Sequence, residues 1–276
     1  MSAAWRSAER AADAAHVTVR MLRDVDELLA AERVQQQIWR VPSDRALPVT
    51  ASVMRALQHS GNYCAGVWDA DAEELIGVAI GFFGAPGYAA LHSHVAGVLP
   101  ARVHAGAGRA LKLHERAWAL ERGITQMTWT YDPLIGRNAW FNLGKLGAVA
   151  EDYLVDFYGP MADEVNLGDT TDRLLVRWRL DDEATESLAA GGPVRLPAEP
   201  EGILLAEAAG RPQPQPPDPW ARTLGVAVPD SPELRDLGLT RLWREAVRAA
   251  LAPRLGHGWH IAGFRRGTGY VISTDR

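Results

Sequence analysis

Two histidines two residues apart stand in the run "LHSHVAGVLPARVHAGAGRALKLHERAW" (residues 91–118). On a strand, alternate residues share a face, so His92 and His94 point one way and Ser93 the other. An imidazole with a pKa of about 6.5 exchanges protons near neutrality and suits a general base. The same spacing also suits a hydrogen-bonded structural pair, or a zinc site. No third zinc ligand stands at a suitable spacing; Asp132 and His104 enter only by elimination, and no metal is expected.

Just downstream, "HAGAGRAL" sets Gly106 and Gly108 at the mouth of an amphipathic stretch. The first N–H groups of a helix lack partners and, with the helix dipole, bind anions; glycines let a phosphate approach the chain, and Arg109 offers positive charge. Taken alone, the glycines fit a tight strand-to-helix turn equally well. The one cysteine, Cys64, lies in the apolar run "NYCAGVW" and reads as a small buried residue, with a nucleophile as the other reading.

These residues need elements to hold them. "HVTVRML" alternates as a strand, and "DVDELLAAERVQQQIW" has helical spacing with Asp24 as its cap. Thr50 opens a second helical run that Gly61 ends. "NYCAGVWDA", "ELIGVAIGFFG" and "YAALHSHVAGVL" read as a meander of strands. A helix follows from about Gly106 to Arg122 with Leu111, His114 and Trp118 on one face. "QMTWTYD" is a strand, "RNAWFNLGKLGA" a helix, and "EDYLVDFYG" and "RLLVRWRL" two more strands. Tight hairpins demand antiparallel pairs, so the fold class is α/β with a mixed (α+β) sheet flanked by helices.

Past residue 180, "EATESLAAGGPVRLPAEPEG" and "GRPQPQPPDP" read as a Pro- and Gly-rich linker with an extended spacer. The remainder reads as a small strand-helix-hairpin appendage, with "LGLTRLWREAVRAAL" as its helix. A net charge of -5 supplies no field to gather nucleic acid or an anionic membrane, and neither is expected as a partner. The first residues, "MSAAWRSAERAADAAH", carry acidic side chains and lack the apolar core of a signal peptide, and no run is long enough to span a bilayer, so the expectation is cytoplasmic. Hydrophobic content of 47% with 23% charged residues fits a folded globular chain.

The element order, the glycine loop after the fourth strand and "NLGKLGA" on the next helix together resemble the GNAT superfamily of acyl-CoA-dependent N-acyltransferases. "LHSH", "ERGITQMTWTYDPL", "RNAWFNLGKLGA", "DFYGPM" and "TDRLLVRW" are similar, more narrowly, to a bacterial branch of predicted acetyltransferases that carries a C-terminal appendage. On that resemblance the chain divides into a flexible tail (1–15), a GNAT-like acyltransferase domain (16–180), a linker (181–220) and a C-terminal α/β appendage (221–276). The family's Q/R-x-x-G-x-G/A motif, which binds the coenzyme A pyrophosphate through main-chain amides, falls on Val103, His104, Ala105, Gly106, Ala107 and Gly108. Val103 replaces its Gln or Arg, leaving Arg102 or Arg109 to supply charge.

The resemblance implies acetyl-CoA or another acyl-CoA as co-substrate, and a base on the fourth strand, which falls on His94. His92 becomes a substrate contact or relay. Main-chain amides around Val98 and Leu99 would bond pantetheine and polarise the thioester, and Asn138 and Asn142, four apart on a helix, would face the pantetheine arm. The family's usual general-acid tyrosine position holds Leu143; Tyr131, Tyr153 and Tyr158 are the replacements, with Tyr158 preferred. Trp39, Arg40 and Arg45 stand where an acceptor is chosen. The implied acceptor is a small-molecule amine or amino acid, the acyl group acetyl or succinyl, and a homodimer is one assembly this allows. A noncatalytic acyl-CoA-binding or regulatory module is the alternative, motivated by Val103 and Leu143.

Overall fold

The computed structural model describes residues 1–42, 47, 49–103, 105–159, 161, 168–229 and 236–275. Arg45 and His104 lie outside the described residues. The chain opens with helix α1 (Ala3–Ala14), strand β1 (Val17–Met21), helices α2 (Val25–Trp39) and α3 (Ala51–His59), and strands β2 (Tyr63–Asp69), β3 (Leu75–Phe83) and β4 (Leu91–Val98). Helix α4 (Ala107–Glu121), strand β5 (Gln126–Tyr131), helix α5 (Gly136–Ala139), strands β6 (Val149–Leu154) and β7 (Arg173–Arg179) and helix α6 (Glu183–Ala189) follow. Strands β8 (Gly202–Ala208), β9 (Arg211–Pro214) and β10 (Thr223–Val226), helix α7 (Leu237–Leu251) and strands β11 (His260–Arg265) and β12 (Gly269–Ser273) complete the chain. Asp24 and Thr50 cap α2 and α3 as their side-chain chemistry predicts, accepting from the N–H of Glu27 and Val53.

Two compact units divide these elements, the first holding residues 1–129 and 179–191. In it β1, β2, β3 and β4 pair antiparallel in chain order. β5 then lies parallel to β4 through Leu91↔Met127 and His92↔Thr128, so the sheet is mixed as expected. Leu28, Ala31, Val34 and Met54 of α2 and α3 pack with Cys64, Val78, Ile80 and Val95 of the strands. Burying a side chain such as Leu28 or Met54 contributes about 1.5–3 kcal/mol.

The N-terminal segment, expected as a flexible tail, is helix α1, capped by the Ser2 hydroxyl on the Trp5 N–H at 3.3 Å. Its buried Ala4, Ala8 and Ala11 recur at helical spacing, a pattern present in the sequence itself. The Trp5 ring meets His114 of α4 edge-on at 5.0 Å. Helix α1 thus forms a covering layer on α4.

The second unit holds 130–161, 166–178 and 192–276 where described. β6 and β7 form an antiparallel pair, and a five-stranded sheet runs β11-β12-β10-β8-β9, antiparallel throughout except β8 with β10. The expected linker is therefore structured in part: it supplies α6, capped by Asp182, and strands β8 and β9. β9 tolerates Pro212 and Pro214 because it is the edge strand, where a missing N–H costs no ladder bond. Trp243, Val247 and Leu251 form the buried stripe of α7. Gly269 at φ +97° has no substitute, since a Cβ there would lie 2.1 Å from the Val226 carbonyl oxygen. Among the described residues no helix is long and apolar enough to cross a membrane.

Candidate active site

The register of β4 sets the histidines. Val95 pairs with Ile80 and Ser93 with Gly81, so His94 is the extra residue of a β-bulge, which the strict alternation expected from sequence does not contain. The imidazoles still converge, their centroids 6.1 Å apart, with the Phe82 ring 5.2 Å from His92 and 5.8 Å from His94. His92 Nδ1 lies 3.2 Å from Thr128 Oγ1, the residue it faces in register on β5. Burial holds both imidazoles below the ordinary histidine range, and for His92 the nearby His94 and Lys112 add to it, bringing it to about 4. Near neutrality both are uncharged proton acceptors.

Behind the bulge stands a network that sequence reasoning missed. Lys112 Nζ donates to Ser93 Oγ at 2.9 Å and to Glu115 Oε2 at 2.7 Å, and lies 4.2 Å over the Trp129 ring. Ser93 Oγ donates to the same carboxylate oxygen at 3.0 Å. Burial lowers the Lys112 pKa, and the Glu115 charge opposes that shift. A Lys and Glu three apart on a helix read in sequence as a solvated pair; here both face the strands, against Ser93, Met127 and Trp129, which makes them interior. Gly81 gives them room, for a Cβ there would stand 3.1 Å from the His92 carbonyl and 3.2 Å from Glu115 Oε1.

Past His92, β4 and β5 share no further register among the described residues. The Leu99 N–H donates to the Ile76 carbonyl at 2.8 Å beside the Gly77↔Val98 pair. That bond makes Gly77↔Val98 a non-hydrogen-bonded pair, so the N–H and C=O of Val98 point away from β3, toward the edge β5 has left. Leu99, expected to offer its amide, spends it on β3.

The glycine loop leads from a 3-10 turn at Pro100–Arg102 to Gly106, the N-cap of α4, at φ +91°. Gly106 accepts the Arg109 and Ala110 N–H groups, at 2.9 and 3.1 Å. A Cβ on Gly108 would meet nothing within 4 Å, so its backbone is open to a ligand, whereas Ala107 is buried and Ala105 exposed. Arg109, expected as a counter-charge, donates through Nη2 to the Leu188 and Ala189 carbonyls at 2.8 and 3.1 Å. Those carbonyls end α6, where the helix dipole draws a cation. Arg102 pairs with Asp69, and Val103 is half-buried. Trp39 packs against the α2 core and Arg40 closes that helix in a left-handed conformation.

Tyr158, Asn138 and Asn142 belong to the second unit. Tyr158 is 38% exposed, its hydroxyl 3.0 Å from Thr130 Oγ1. Tyr131 and Tyr153 are buried, and burial first of all raises both phenols; Tyr153 in addition donates to Asp172 Oδ2 at 2.7 Å. The expected helix over "RNAWFNLGKLGA" is α5 continued by a π-helix over Trp140–Lys145, a widening often found at functional positions. Asn142 lies in it, buried, its backbone carbonyl accepting the Ala148 N–H at 2.9 Å.

No protein-family model matches the chain, and no curated protein sequence does. Solved structures overlap it in part. The ribosomal-protein-S5-alanine acetyltransferase of Vibrio fischeri is 16% identical, with 60% of this chain and 94% of that one covered at a TM-score of 0.49. Mycobacterium smegmatis RimJ, solved with CoA-disulfide, is 16% identical, covers 64% and 91% of the two chains, and gives 0.49. Salmonella typhimurium yncA, solved with its cofactor acetyl-CoA, is 18% identical over 61% and 96%, at 0.48. Each is a likeness over about three fifths of the chain.

Proposed function

We propose that the chain is an acyl-CoA-dependent N-acyltransferase that moves an acetyl or succinyl group to the amine of a small molecule or amino acid by direct attack. The observation that carries this is the register of β4, paired with β5 only as far as His92 and bulged at His94. An extended arm bearing amides fits the edge left by β5, where the Val98 N–H and C=O are directed. The Gly106–Gly108 turn and the first N–H groups of α4 fit a diphosphate.

A bound thioester supplies an acyl group already activated toward nucleophiles. The acceptor has to lose a proton first, since an alkylammonium holds it to about pH 10. His94, neutral and raised on the bulge, takes that proton; the amine lone pair then forms the C–N bond as the C–S bond breaks, and the second proton shed by the new amide nitrogen balances the one the departing sulfur gains. Tyr158, in the second unit, is the most exposed of the three candidate tyrosines and the candidate acid for a departing thiolate. His92, tied to Thr128, orients its neighbour. The test is release of free thiol from acetyl- and succinyl-CoA across a panel of amines and amino acids. Coenzyme A binding without turnover, unchanged in His94→Ala, would replace this reading with a noncatalytic acyl-CoA-binding module.

A further inference from the structure

The two arginines of α7 grip one short segment of the second unit. Arg244 is bidentate on Asp132, Nη1 to Oδ1 at 3.0 Å and Nη2 to Oδ2 at 2.9 Å, and its Nε donates to Asp169 Oδ2 at 2.6 Å. One turn later Arg248 donates through Nε and Nη2 to the two oxygens of Asp172, at 2.8 and 2.7 Å, and through Nη2 to Thr170 Oγ1 at 3.1 Å. The Asp172 carboxylate also accepts from the Tyr153 hydroxyl and the Asp156 N–H. Asp169 and Asp172 are interior, as is Arg244, while Arg248 is 31% exposed.

Between the gripped residues sits Thr171, which holds the tyrosine turn from several sides. Its carbonyl accepts the Phe157 N–H at 3.0 Å, and its Oγ1 accepts the Tyr158 N–H at 3.0 Å. Its own N–H donates to Asp156 Oδ1 at 2.9 Å, and its hydroxyl to the Gly159 carbonyl at 3.0 Å. A bidentate guanidinium fixes distance and plane together, which one ammonium does not. The path is contiguous: α7 arginines, the 169–172 segment, Thr171, the 156–159 turn, the Tyr158 hydroxyl on Thr130.

We propose that Arg244 and Arg248 are positioning residues and that α7, through Thr171, holds the Tyr158 turn in its working geometry. The role for catalysis rests on the acyltransferase reading; the ordering of the turn does not. The experiment pairs amide hydrogen exchange with a double-mutant cycle on the full chain. In Arg248→Ala, exchange at the Phe157 and Tyr158 amides is expected to rise about tenfold. Its kcat should fall about tenfold while KM for the acyl donor moves less than about twofold. Arg248→Ala combined with Tyr158→Phe should be no slower than Tyr158→Phe alone, and tens of millimolar guanidinium should restore part of the loss to Arg248→Ala only.

Thr171→Val removes the Oγ1 bonds without touching α7 and should reproduce the exchange result, which covers the case of an arginine variant that does not fold. Unchanged exchange at 157 and 158 in both variants overturns the proposal. So does a wild-type enzyme whose kcat is unaffected by Tyr158→Phe, or losses that multiply in the double variant. If the wild type transfers no acyl group, the acyltransferase reading and the catalytic role fall together, and exchange alone decides whether α7 orders the turn.

Discussion

Loss of the His94 imidazole removes a proton acceptor and leaves the backbone of the bulge in place. His94→Ala should therefore lower kcat about a hundredfold near pH 7 and less near pH 9, where more of the amine is already neutral. Steady-state thiol release at the two pH values measures this, and equal loss at both argues against a base. Gly106 answers to backbone geometry alone: at φ +91° an L-residue is strained, and an added Cβ would lie 3.2 Å from the Ala15 Cβ. Gly106→Ala should weaken coenzyme A binding about tenfold in titration calorimetry while kcat at saturation changes little, because the loop grips the far end of the donor. The residue types at 92, 94, 106 and 108 were legible in sequence. The Arg109 partner was not, since the carbonyls that claim it lie some eighty residues downstream in a segment that reads as linker.

β4 joins two requirements, a free edge and a raised histidine, and both come from its pairing. Its alternation was visible in "LHSHVAGV", but a bulge depends on how Ile80 and Gly81 of β3 meet it, and no window on one strand contains that information. The support beneath is tertiary as well. Glu115→Gln leaves Lys112 buried without its counter-charge, which costs about 3–5 kcal/mol. Chemical denaturation should show the lower midpoint, and a variant as stable as wild type would mean that Lys112 finds another partner. Helix α1 shows the opposite case: its alanine spacing is readable in sequence, while its charged composition resembles that of a solvated tail. The β9 prolines likewise mark an edge strand as well as a spacer, and only pairing with β8 tells the two apart.

Across the whole molecule, histidines kept neutral by burial tie stability to pH. His92 and His114 are brought down to about 4 and His94 is lowered too, in each case by burial, against about 6.5 in an unfolded chain. Their stabilisation is complete above the unfolded value and is lost as pH falls toward the folded ones, because the unfolded chain binds the protons. Thermal unfolding should drop steeply between about pH 6.5 and 4, with about two protons taken up near pH 5 from His92 and His114 alone; a flat melting temperature there would refute it. Cys64, fully buried in β2 with its thiol pushed up to about 12, gives the molecule one more property. As the chain's only sulfhydryl, it is silent to aromatic disulfide dyes in the native state. Colour in such an assay then counts liberated carrier alone, and the same dye, added during heating without substrate, reports the moment the sheet comes apart.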